Sequence, residues 1–159
     1  MLEEFVYLAV ILDAYSRRVI GWALDRSLED KLTLSALRMA LSQRVVQPGL
    51  VHHSDRGSQY ASSDYTELLK DKGIKISMSR KANPWDNATC ESFLKSLKYE
   101  EVHRNEYRDL AEVRSEIRTF LEKIYNLKRL HSALGYLPPA EFEANLMTQK
   151  EAAARQLSQ

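Results

Sequence analysis

Hydrophobic and polar positions along the chain alternate between two periods. Phe5-Val6-Tyr7-Leu8-Ala9-Val10-Ile11-Leu12 is an unbroken apolar run rich in β-formers, long enough for a strand and short for a helix. Asp13-Ala14-Tyr15-Ser16 breaks it, and Arg18 to Leu24 reads as the hairpin partner. Helix-start residues at Ser27 to Asp30 precede Leu34, Leu37, Leu41 and Val45 at helical spacing, and Pro48-Gly49 stops that helix. Leu50-Val51-His52-His53 predicts a short strand running into the polar turn Ser54 to Ser58. Ser62 or Ser63 offers a cap for a helix carrying Tyr65, Leu68 and Leu69, with Gly73 as its stop. Ile74 to Ser77 predicts another strand, and Ser79 to Pro84 a loop. Asp86 or Asn87 is placed to cap a long helix through Glu91, Phe93, Leu94, Leu97 and Lys98. A further helix presents Leu110, Val113, Ile117, Leu121 and Ile124 on one face.

This order predicts a single α/β domain, with no repeat and no linker. A core with a C-terminal helical block is expected over residues 1–143, and a polar, frayed helical tail over 144–159. At 159 residues and 44% hydrophobic content, the chain has enough apolar side chains for a real core. With no long apolar span and no leader with a cleavage site, the expectation is a soluble, cytoplasmic protein without a membrane partner. One cysteine, Cys90, excludes an internal disulfide and a thiolate metal cluster. A net charge of +1 does not announce a nucleic-acid binder, so any DNA contact would rely on local patches.

Two carboxylates carry the chemistry. Asp55 lies where a strand meets a loop, the usual place for a functional group in an open α/β sheet, and its neighbours Ser54, Gly57 and Ser58 are small. Glu91 falls near the start of a helix, with Lys95 and Lys98 four and seven residues on and so on its face. An acid toward a divalent ion, with amines reaching phosphates beyond it, is the layout that metal-dependent phosphodiester chemistry needs. Magnesium suits such a site, because it accepts one or two carboxylates plus waters and substrate oxygens. Each residue also has a plainer role. Asp55 is equally a turn residue, Glu91 and Lys95 a surface ion pair, and Lys98 a solvated lysine. His52 and His53 are metal ligands or packing residues, while Trp22 is a core aromatic and Trp85 a loop anchor.

The wording of the segments narrows the choice. His53-Ser54-Asp55-Arg56-Gly57-Ser58-Gln59-Tyr60 resembles the block around the second aspartate of bacterial insertion-sequence transposases with a retroviral-integrase core. Ser77 to Ala88, running on to Glu91-Ser92-Phe93-Leu94-Lys95, resembles the block with their catalytic glutamate. Tyr125 to Tyr136, followed by Pro138-Pro139-Ala140-Glu141, is similar to their C-terminal block, and Tyr7 to Trp22 to their second and third strands. The 35 residues between Asp55 and Glu91 match the interval of that family.

The resemblance implies an RNase H-like mixed sheet flanked by helices and a metal-dependent DNA cleavage and strand-transfer activity. It implies two magnesium or manganese ions, double-stranded DNA at transposon ends and target as partner, and a homo-oligomer of transposase subunits at the bacterial nucleoid. Asp55 and Glu91 become metal-binding catalytic acids. Lys98 and Lys95 become DNA contacts near them, and Arg56, Arg80 and Lys81 line the approach. The His131 block, with Lys128, Arg129 and Tyr136, either binds DNA or packs a helix; Leu130, Leu134 and Leu137 favour packing.

The family uses three acids, the first on a central strand before the one matching Phe5 to Asp13, and that strand has no counterpart here. Asp13 occupies a hairpin position and is expected to form the turn with Ser16 rather than to replace the missing ligand. The alternative to an active core is therefore a catalytically incomplete remnant that keeps only DNA-binding or subunit-pairing surfaces.

Overall fold

A computed structural model describes residues 4–79 and 88–158. The first apolar run forms strand β1 (Tyr7–Leu12), hydrogen-bonded to β2 (Val19–Asp25). Asp13 makes the turn between them, as its Oδ1 accepts from the Tyr15 and Ser16 amides at 2.9 and 3.0 Å. Helix α1 (Asp30–Gln43) buries Leu32, Thr33, Ala36, Leu37 and Ala40 and packs against β1. It ends before Val45, which is left exposed. Gly21 of β2 permits this close packing, because a methyl group there would collide with the Ala36 carbonyl oxygen.

Strand β3 (Val51–Ser54) lies parallel to β4 (Lys75–Met78), with Val51 opposite Lys75 and Ser54 opposite Met78. Helix α2 (Ser63–Asp71) connects them, as a parallel pair requires. Ser62 stands at its N-cap position but donates its hydroxyl to the Gln59 carbonyl at 3.2 Å, so the preceding turn takes the group that the helix was expected to use. Gly73, at φ +71°, ends the helix in the left-handed conformation as predicted. Helix α3 (Ala88–Glu100) follows; its expected caps, Asp86 and Asn87, lie outside the described residues, as do Trp85 and most of the predicted loop. Among the described residues the strands form two separate pairs, β1–β2 and β3–β4.

Helix α4 (Leu110–Thr119) begins on Asp109, whose Oδ1 accepts from the Glu112 amide at 2.8 Å. The Glu112 carboxylate returns to accept from the Arg108 amide, giving a reciprocal cap that the hydrophobic pattern alone did not reveal. The helix continues into wider π turns over Phe120–Tyr125. The extra residue per turn moves Tyr125 inward and leaves Ile124, expected on the core face, 38% exposed. Helix α5 (Pro139–Leu157) starts with proline in its first turn, where the missing amide hydrogen costs nothing. The expected boundary at residue 143 falls inside it, and beyond Ala144 its side chains are largely exposed.

Contacts gather the chain into two units. One comprises Met1–Leu12 and Ile20–Glu106, with a core of Leu37, Tyr65, Leu69 and Ile74 and a neighbouring cluster of Ala9, Leu32 and Ala36; Ile11 packs on both. The other comprises Asp13–Val19 and Tyr107–Gln159. In it the hairpin turn is gripped by the helical block. Glu143 accepts from Ser16 Oγ at 2.6 Å and from Arg18 at 2.9 Å, and the Asn126 amide bonds both the N–H and the C=O of Val19. No helix among the described residues is long and apolar enough to cross a membrane.

Candidate functional site

The parallel pair β3–β4 delivers Asp55 directly after the last residue of β3. Its Oδ1 accepts from the Gly57 amide at 2.7 Å, which fixes the carboxylate plane within its own turn. A side chain at residue 57 would stand 2.9 Å from that oxygen, so glycine keeps the space beside the acid open. The chain then enters a 3-10 turn (Ser58–Tyr60), and Tyr60 packs edge-on against Tyr65 with ring centroids 5.6 Å apart.

Glu91 enters from the opposite end of the sequence segment, in the first turn of α3. Cys90, next to Glu91 in the sequence, also lies within electrostatic reach of Asp55. Its thiol is pushed above the usual range by desolvation and by the negative charges of both Asp55 and Glu91. The Tyr60 hydroxyl is likewise raised, by burial first and then by the charge of Asp55 and by Cys90. Two segments distant in sequence, Asp55 with Tyr60 and Cys90 with Glu91, thus share one electrostatic neighbourhood, with both acids exposed to solvent. Lys95 and Lys98 are exposed on the same helix as Glu91, one and two turns on.

The remaining candidates divide. His53 spans two serines of the neighbouring segment, Nδ1 to Ser77 Oγ at 3.0 Å and Nε2 to Ser79 Oγ at 3.1 Å, so both ring nitrogens are engaged in bracing the strand ends. His52 meets the Tyr65 hydroxyl through Nε2 at 2.7 Å. Burial depresses the His52 imidazole and raises the Tyr65 phenol far above its ordinary range, so both sides of this hydrogen bond favour their uncharged forms. These are packing roles. Arg56 donates from Nε to the Ser79 carbonyl at 2.8 Å, tying the Asp55 turn to the end of β4. Arg80 and Lys81 lie outside the described residues. No group of three or more metal-ligating side chains is assembled among the described residues.

A family model described as integrase core domain matches residues 2–84, and a second of the same description matches residues 72–139. The chain belongs to the integrase core domain family. Its relatives include the transposase for insertion sequence element IS904 of Lactococcus lactis subsp. lactis, 44% identical over 141 residues, which are 89% of this chain and 56% of that protein. Transposase InsF for insertion sequence IS3A of Escherichia coli is 40% identical over 141 residues, 89% of this chain and 49% of that protein. The chain spans about half the length of the relatives it matches. Among solved structures, the catalytic core domain of BIV integrase superposes with a TM-score of 0.64 at 19% identity, over 91% of this chain and 89% of that one. The HTLV-2 integrase catalytic core domain in complex with magnesium gives a TM-score of 0.59 at 18% identity, over 85% and 82%. At such identities the likeness is one of fold, and this integrase core has the expected RNase H-like α/β architecture. The transposase resemblance read from the four sequence blocks is also met.

Sequence reasoning read Gly57 only as a small neighbour of Asp55, and missed Tyr60 and Cys90 at this integrase core's candidate site. Gly57 and Tyr60 stood in the quoted motif, but only the fold shows that the Gly57 amide holds the acid and that Tyr60 packs on Tyr65. Cys90, next to Glu91, carried no signal of its own.

Proposed function

We propose that Asp55 and Glu91 are catalytic, metal-binding carboxylates of a DNA-cleaving and strand-transferring site, and that Lys95, Lys98, Arg56, Arg80 and Lys81 contact the DNA. The observation that carries this reading is the placement of Asp55 directly after β3, held by the Gly57 amide and within electrostatic reach of Cys90, the neighbour of Glu91 in the first turn of α3. Two exposed carboxylates in one neighbourhood fit magnesium or manganese, which are content with few protein oxygens. Bound there, such an ion supplies charge neutralisation at the scissile phosphate and a more acidic attacking water or 3′-hydroxyl.

The chain's own residues do the positioning. The Gly57 amide holds Asp55 in one orientation, and the first turn of α3 carries Glu91. Lys95 and Lys98 offer ammonium groups to backbone phosphates past the acids. Arg56 keeps its terminal guanidinium nitrogens for DNA while Nε anchors it to Ser79. The third carboxylate that the family uses would come from a strand pairing with the open edges of β1 and β3, in the same polypeptide or from another subunit. Transposon ends and target DNA are the proposed substrates, and a homo-oligomer in the bacterial cytoplasm the acting form.

The test is nicking and strand transfer of labelled transposon-end DNA with magnesium or manganese. Asp55→Asn and Glu91→Gln are expected to abolish turnover and to weaken manganese binding measured by calorimetry. Turnover in either variant equal to the parent's would sink the assignment. Salt-sensitive DNA binding without any metal-dependent cleavage would favour the non-catalytic remnant instead.

A further inference from the structure

The loop after Asn126 does two different things. Leu134, Pro138 and Pro139 are buried, so part of the block packs as expected. Leu130 and Tyr136 do not: they are 58% and 70% exposed. Tyr136 is also one of two non-glycine residues with a positive φ among the described residues, at +61°, directly after Gly135 at +68°. A bulky side chain in the left-handed region crowds its own carbonyl, and such a conformation persists only where the surroundings impose it. Here they do. The Tyr136 amide donates to the His131 carbonyl at 2.8 Å, His131 and Leu137 form an isolated antiparallel bridge, and Gly135 bonds back to Ser132. Nothing in the packing repays this, since the ring faces solvent.

Charge indicates what the ring is for. From Lys123 to Ala140 the sequence has Lys123, Lys128 and Arg129 and no acidic residue. Lys128 is exposed one turn before the bridge, and the Arg129 guanidinium lies 5.9 Å from the Tyr125 ring centroid. An outward aromatic on a rigid turn in an acid-free, basic segment is the combination that holds single-stranded nucleic acid, the ring stacking on a base and the amines on phosphates.

We infer that the strained Tyr136 turn, with Lys128, is a contact for unpaired DNA bases, made of residues other than those proposed around Asp55. It rests on the reading of this chain as one that acts on DNA, and extends it to unstacked bases such as those at an opened DNA end.

Fluorescence anisotropy with a labelled oligothymidylate, beside thermal melting of the same proteins, tests it. Tyr136→Gly is expected to weaken single-strand binding on the order of tenfold. The same change should leave Tm unchanged or raise it, because glycine occupies the left-handed region without strain. Lys128→Ala should weaken binding and flatten its salt dependence. Unchanged affinity in Tyr136→Gly overturns the inference. So does a fall in Tm, which would make the ring a packing residue, or altered self-association in sedimentation with affinity intact, which would make the turn a subunit contact. Asp55→Asn should lose nicking while keeping single-strand affinity, so failure of the catalytic assignment and failure of this one are read separately.

Discussion

Asp55 and Glu91 lie 35 residues apart in the sequence, and Cys90 is the residue that senses both. That makes a chemical measurement of the site available without substrate, since Cys90 is the only cysteine and is exposed. Desolvation first, and then the two carboxylates, disfavour the thiolate, so its formation is displaced to higher pH. Alkylation proceeds through the thiolate. Removing either negative charge lowers the thiol's pKa, so the pH midpoint of iodoacetamide labelling should shift acidward in Asp55→Asn and in Glu91→Gln. At a fixed pH below the parent's midpoint, both variants should label faster. Identical midpoints in all three proteins would mean that the acids do not face Cys90. The identity of the acids was legible in the sequence, because the quoted blocks carry the spacing. The reach of Asp55 to Cys90 was not, since it depends on where β3 and α3 are held in space. The packing roles of His52 and His53 were among the readings the sequence offered, but their serine and tyrosine partners were hidden, because they come from other elements.

Elements were read correctly wherever one period dominated. The apolar run of β1 and the 3.6-residue spacing of α1 left little choice, whereas the π turns at Phe120–Tyr125 broke the assumed spacing and shifted the buried face by one residue. Close approach between elements is also invisible to periodicity. Gly21 sits in a strand pattern where glycine is usually a weakness, yet it is what lets β2 and α1 come together. A methyl group there would meet the Ala36 carbonyl oxygen and stand 2.9 Å from both the Ala40 amide nitrogen and its Cβ, and backbone cannot yield as a flexible side chain would. Gly21→Ala should therefore destabilise the fold by roughly 1–3 kcal/mol, the usual range for overpacking. The urea unfolding midpoint measures this, and an unshifted midpoint would mean that α1 does not ride on β2 at that distance.

At the scale of the whole chain, the sequence suggested one continuous domain because no linker interrupts it. The division that contacts show is discontinuous: the turn Asp13–Val19 belongs with Tyr107–Gln159, and no shift of composition marks a unit assembled from segments so far apart. Two polar side chains join those segments, Glu143 through Ser16 and Arg18, and Asn126 through Val19. Asn126 is 5% exposed, accepts from the Val19 N–H at 2.8 Å and donates to the Val19 C=O at 2.9 Å, taking the place of a strand neighbour at the start of β2. Replacing it with alanine leaves both backbone groups buried and unpaired, at about 1–3 kcal/mol for each. The loss should be local, because unit 1 has its own core around Leu37, Tyr65, Leu69 and Ile74. In native-state hydrogen exchange, Asn126→Ala should release protection at Val19 and through the helices of the second unit, while β3, β4 and α2 keep theirs. Equal loss in β3 and β4 would show that the two units unfold together and that the division has no energetic meaning.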